Sequence, residues 1–135
     1  MQRMVALCAM ACGLLLLVGS CSPPKPAAQE EAALSTMQDI QRNIETDISY
    51  DRFLDLLQAA KPVLDGLKHV ENANTCFQQA IERSFASYAI AGKAWKKKME
   101  AEDEARRTDM ALTLNFSLSF ATVSIQQASD CFKKK

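Results

Sequence analysis

Met110-Ala111-Leu112-Thr113-Leu114-Asn115-Phe116-Ser117-Leu118-Ser119-Phe120-Ala121-Thr122-Val123-Ser124-Ile125-Gln126-Gln127-Ala128-Ser129 is a run of twenty residues without one charge. Its first half alternates Leu112, Leu114, Phe116, Leu118 and Phe120 with Thr, Asn and Ser, which is the period of a β-strand. A strand must place its backbone N–H and C=O groups on a neighbour, and no other stretch of this chain offers one. From Ala121 onward, Ile125, Ala128 and Phe132 resume helical spacing. The stretch therefore reads as a helix, expected to be the most buried in the fold, with its Ser and Ala residues allowing close approach. Asn115, Gln126 and Gln127 make it too polar for a membrane span.

Working upstream, the pattern is helical throughout. Ala33, Met37, Ile40, Ile44 and Ile48 recur at three- and four-residue spacing, while Glu30, Glu31, Asp39, Arg42 and Glu45 fall mostly elsewhere, as on an amphipathic helix. Its early acidic residues suit the positive end of the helix dipole. Ser49 reads as the N-cap of a second helix carrying Phe53, Leu57, Ala60, Leu64 and Leu67. Pro62 should kink or restart that helix, because it lacks a donor and crowds the preceding turn. Gly66 and residues 68–74 close the hairpin, and Asn72 or Asn74 can cap the next helix. This third helix starts near Thr75 with Phe77, Ile81, Tyr88, Ala91, Trp95 and Met99 as its stripe, and runs into a charged stretch, residues 96–107. Beyond residue 29 there are only two glycines, Gly66 and Gly92, and one proline, Pro62. Such poverty of breakers predicts long helices and few loops. About 105 residues suffice for one domain with a modest core.

The chain has five cysteines. Cys76 and Cys131 are the two within the helical region. Paired, they close a loop of about 56 residues, worth ~4 kcal/mol in the chain-entropy model. Two free thiols or a metal site are the alternatives, but no CxxC and no second histidine supports a metal. In an antiparallel hairpin, paired residues lie equidistant from the turn, and the point midway between Cys76 and Cys131 falls between Asp103 and Glu104. Against this, Glu102 with Arg106 and Asp103 with Arg107 are acid-before-base pairs at i,i+4, which favour helix as far as Thr108 and Asp109.

At the other end, Arg3 is the only charge before position 25, and an apolar run of roughly fifteen residues comes after it, shorter than a spanning helix and fitting an export signal. The run ends in Val18-Gly19-Ser20-Cys21. These four residues resemble the lipobox of bacterial lipoproteins, with Val18 where leucine is commonest and Ser20 where glycine or alanine is. The resemblance implies that the Cys21 thiol takes a diacylglyceryl group and that the chain is cut between Ser20 and Cys21. It covers residues 1–21 only, and Cys8 and Cys12 would leave with the signal. Next come Ser22-Pro23-Pro24-Lys25-Pro26, a proline-rich stalk through residue 29. Eight extended residues reach on the order of 25 Å. A serine after the lipid-bearing cysteine resembles outer-membrane passengers under the enteric sorting rule.

The whole chain has 16 basic and 16 acidic residues, so nucleic acid is not an expected partner. His69 is the only histidine and falls in an inter-helix joint, where a solvated role is the ordinary one. A haem held by His69 with Met99 or Met110 would lack a CxxCH, and methionines at helical spacing normally fill cores. The serines have no histidine base beside them. Neither catalysis, nor a cofactor, nor a metal is expected.

Trp95-Lys96-Lys97-Lys98 has the sharper surface reading. Indole beside a basic cluster can meet a membrane interface or an acidic partner, or else simply fill the bundle end. A second helix of about 18 residues beside a third of about 30 would leave an overhang on the order of 18 Å, carrying Trp95, Lys96, Lys97 and Lys98. The expectation is an all-α protein. Residues 1–20 are the removed signal, 21–29 the lipidated cysteine and stalk, and 30–135 a small antiparallel bundle of about four helices whose two long C-terminal members share a disulfide. The role that fits is a tethered protein-interaction module in the bacterial envelope, anchored through Cys21 on the outer membrane, with an envelope protein as partner. The alternative is a small-molecule or lipid carrier, with its cavity between the final helix and the first hairpin.

Overall fold

The computed structural model describes residues 26–134. The expected export segment, the expected Ser20–Cys21 cleavage site and the first residues of the expected stalk lie outside the described residues. Four helices occur in order, α1 (Pro26–Glu45), α2 (Tyr50–Leu67), α3 (Thr75–Glu100) and α4 (Glu104–Lys133), and there is no strand among the described residues. The protein is an all-α antiparallel bundle.

The first helix takes in residues expected to belong to the stalk. Pro26 stands at its first position, where a missing N–H is no loss and a fixed φ already suits the helix, and Ala27 and Ala28 propagate it well. Starting there, the helix has no acidic residue in its first turn. Glu30, expected near the dipole's positive end with the other charges, is instead fully buried. Its Oε1 accepts the backbone N–H of Asn74 at 3.0 Å, so an inward-pointing carboxylate ties α1 to the start of α3. The turns after α1 and α2 use Asp47 and Asn72 at φ 58° and 59°, a left-handed conformation that short polar side chains tolerate. Ser49 caps α2 by accepting the Arg52 N–H at 3.2 Å. Pro62 neither ends nor restarts α2; its ring lies on the exposed side, and the helix runs on to Leu67.

Two N-caps bracket the long hairpin. Asn74, not Asn72, caps α3, its side chain accepting the Phe77 N–H at 3.2 Å. Asp103 caps α4 by accepting the Arg106 N–H at 2.7 Å. The turn is therefore residues 101–103, close to the point set by the disulfide, and the expected i,i+4 pairs do not form. Capping by Asp103 uses the carboxylate that would have met Arg107. Arg107 instead pairs with Glu104 at 3.1 Å and donates to the Ala101 carbonyl at 3.1 Å, closing the turn from inside the helix.

The Cys76–Cys131 disulfide links α3 to α4 with a Cα–Cα distance of 5.9 Å. Its register explains the interface. Buried on α3 are Ala80, Ser84, Ser87, Ala91 and Ala94, and on α4 Leu114, Ser117, Ala121, Ser124, Ala128 and Cys131. Both rows step by alternating threes and fours, the seam of a coiled coil. Counting from the disulfide sets Ala80 near Ala128, Ser84 near Ser124, Ser87 near Ala121 and Ala91 near Ser117. Small residues thus meet small residues along the length of the pair. The hydroxyls of Ser87 and Ser117 donate back to the carbonyls of Arg83 and Thr113, each at 2.8 Å, which satisfies them inside the seam.

Larger side chains build the core on one flank of this hairpin. Met37 and Ile40 from α1, Phe53 and Leu67 from α2, and Phe77, Ile81 and Tyr88 from α3 are fully buried. Near the disulfide, Phe77 packs against Phe132 with ring centroids 5.8 Å apart. Gly92 lies buried in α3 where a Cβ would come within 3.3 Å of the Phe53 ring, so a residue without one lets α2 approach. No helix among the described residues is long and apolar enough to cross a membrane.

Candidate interaction surface

The Trp95 corner differs from the expected overhang. Trp95 is half-buried, its ring 5.6 Å from that of Phe53 and 5.8 Å from that of Tyr50, centroid to centroid. It closes the core at the start of α2 rather than projecting past it. Because Trp95 packs on Tyr50, the first residue of α2, only residues 96–100 of α3 run past it. There Lys96 faces Glu100 at 3.8 Å, Lys97 is exposed and Lys98 half-buried. The structure thus separates the indole from the basic cluster beside it in sequence.

A second candidate lies between α4 and the first hairpin, where a carried molecule was expected. Gln41, Ile44, Glu45, Tyr88, Leu118 and Thr122 line a cleft of ≈ 40 Å³. That is room for about one water, well below the ~300 Å³ at which small-molecule pockets begin. Tyr88 is buried here, and neither its hydroxyl nor that of Ser84 finds a hydrogen-bond partner among the described residues. Burial, with the Glu45 carboxylate as a lesser cause, pushes the Tyr88 phenol well above its ordinary ionisation range. A phenol held neutral in this way is no general base. A wider, open groove of ≈ 330 Å³ on α2 and α3 carries Lys61, Asp65, Lys68 and Glu82 around Leu64 and Phe85.

The third candidate was not anticipated. Far from being the most buried helix, α4 leaves Leu112 65%, Phe116 74%, Phe120 46% and Val123 65% exposed. At about 100° per residue these four share one face. The reason is the seam. Once Ser117, Ala121, Ser124 and Ala128 face α3, Leu112, Phe116, Phe120 and Val123 turn to the open side, whereas Leu118 and Ile125 between them pack into the core. On α3, Ile90 is 50% exposed and level with Ser117 in the disulfide register. The spacing of the small residues was the available signal: matching 80, 84, 87, 91 and 94 against 117, 121, 124 and 128 shows which residues of α4 turn outward.

His69 lies exposed in the turn after α2. No group of three or more His, Cys, Asp and Glu side chains that could hold a metal ion occurs among the described residues. No family model matches this chain, and no similar protein was found among curated proteins or solved structures.

Proposed function

We propose that this chain is an envelope lipoprotein, anchored through a lipid on Cys21, whose helical domain is a tethered protein-interaction module rather than an enzyme. The anchor rests on Val18-Gly19-Ser20-Cys21 at the end of a short basic start and an apolar run. What supports the module is the strip on α4. Single exposed apolar side chains are ordinary, but four large ones aligned on one helix face are the kind of surface that proteins use to bind one another. The Trp95 corner is the weaker candidate, because its indole is engaged by Tyr50 and Phe53. Outer-membrane placement rests on Ser22 and the sorting rule.

The test is substitution of the anchoring residue. In cells supplied with labelled palmitate, Cys21→Ser should accumulate as an unprocessed precursor without label, while the parent chain is labelled and fractionates with the outer membrane. A Cys21→Ser chain still labelled and matured would remove the anchor from the proposal. A parent chain that fractionates with the inner membrane would remove the placement alone.

A further inference from the structure

We infer that the cleft between α1, α3 and α4 is a binding site for one water molecule, which accepts the Tyr88 phenolic proton and donates to the Glu45 carboxylate and the Thr122 hydroxyl. That water joins the last turn of α1 to both members of the long hairpin.

The polar groups that line the cleft are partly committed already, and what they leave over is one donor and several acceptors. Gln41 Nε2 donates to Glu45 Oε1 at 3.0 Å, so the second carboxylate oxygen is left to accept. The Thr122 hydroxyl donates to the Leu118 carbonyl at 3.2 Å, so its lone pairs are left to accept. Tyr88 supplies the donor. It is 1% exposed, and its hydroxyl reaches no acceptor among the described residues, the Glu45 carboxylate included. Burial first, and the nearby Glu45 carboxylate second, hold the phenol in its protonated form, so it meets the cleft as a donor. A buried hydroxyl gives up its solvation on folding, and where protein offers no partner an ordered water normally serves.

The size agrees with this occupant. A cleft of ≈ 40 Å³, walled by Ile44 and Leu118, holds about one water and is far too small for a lipid or a drug-sized molecule. With one accepted and two donated bonds, the water makes about the three that buried waters usually make. A sodium or potassium ion fits less well, because it would draw on the acceptors and leave the Tyr88 proton without one. The position also matters to the fold. Among the described residues, α1 is hydrogen-bonded to the long hairpin only at the opposite end of the bundle, where Glu30 meets Asn74. A water on Tyr88 supplies the corresponding link near the end of α1.

The test is a crystal structure of the full chain, purified in detergent from its own cells, at a resolution that separates ordered waters. Crystals are grown once without alkali ions and once with sodium and potassium. Both should show a single peak about 2.5–3.0 Å from Tyr88 Oη and from a Glu45 oxygen. In Tyr88→Phe the peak should fall to less than half its occupancy. The variant should fold as the parent does, since phenylalanine fills the same buried space and a released water regains entropy. An undiminished peak in Tyr88→Phe would overturn the assignment, because the rim alone would then hold the water. Tyr88 bonded directly to Glu45 with no peak between them would overturn it as well. A peak seen only with sodium or potassium would make the cleft a cation site instead, and density larger than one water would make it a ligand site.

Discussion

Replacing Asn74 with alanine removes two hydrogen bonds at one end of the bundle, one that caps α3 and one that ties its start to α4. The side-chain oxygen caps α3 through the Phe77 N–H, and the Nδ2 group donates to the Cys131 carbonyl of α4 at 3.0 Å. Loss of an N-cap costs ~1 kcal/mol. Loss of the second bond, which leaves a part-buried carbonyl without this donor, costs about 1 kcal/mol more. The bond from the Asn74 N–H to Glu30 belongs to the backbone and survives. The expected loss is therefore ~2 kcal/mol, or a fall in Tm of roughly 8–16 °C for a domain of this size. Asn74→Ser keeps an acceptor for the cap and should lose about half as much. Asn74→Asp also keeps the cap and suits the helix dipole, but turns a carboxylate toward the Cys131 carbonyl and adds charge beside Glu30, so it too should destabilise. Urea unfolding of the disulfide-intact protein at neutral pH, tracked by far-UV circular dichroism, measures all three if the m-values agree. An alanine variant within ~0.5 kcal/mol of the parent, or a serine variant as unstable as alanine, would refute this account of the junction.

Gly66 sits in the last turn of α2 with open space where a Cβ would go and without a left-handed φ, so Gly66→Ala should stabilise by about 0.5–1 kcal/mol in the same urea assay. Tyr88→Phe removes a buried hydroxyl that no group among the described residues satisfies, and should leave stability unchanged or raise it by up to about 1 kcal/mol; a loss of more than that would show the hydroxyl to be bonded. The same variant isolates a pH effect. Because the folded-state pKa of Tyr88 is raised, the folded form holds its proton where the unfolded chain releases it, so the contribution is fully present below the ordinary tyrosine value of ~10 and is lost as pH rises above it. The stability difference between parent and Tyr88→Phe should be flat from pH 6 to about 9 and shift against the parent at higher pH, read as Tm across that range.

Local chemistry determined much of this protein from sequence alone. The spacing of apolar residues and the scarcity of glycine and proline are properties of single segments, and they correctly gave four helices, including one over the charge-free stretch whose alternation imitates a strand. Ser49 was legible as a cap because a cap needs only its own next turn. The Cys76–Cys131 pairing was legible from two cysteines in the helical region, and its midpoint between Asp103 and Glu104 fell close to the turn at residues 101–103, which the structure fixed against the charge pairs that pointed past it. Facing was decided by tertiary structure. Apolar and small polar residues fall on every side of the final helix, so its sequence names no preferred side; only apposition to α3's matching row of small residues selects Ser117, Ala121, Ser124 and Ala128 and turns Leu112, Phe116, Phe120 and Val123 outward. Glu30 was likewise misplaced by its neighbours in sequence, and Trp95 was left between a projecting tip and the bundle end, since their burial depends on Asn74, Tyr50 and Phe53, which fold onto them from other helices. Periodicity specifies a helix from within a segment, whereas the face that helix buries is specified by the surface it meets.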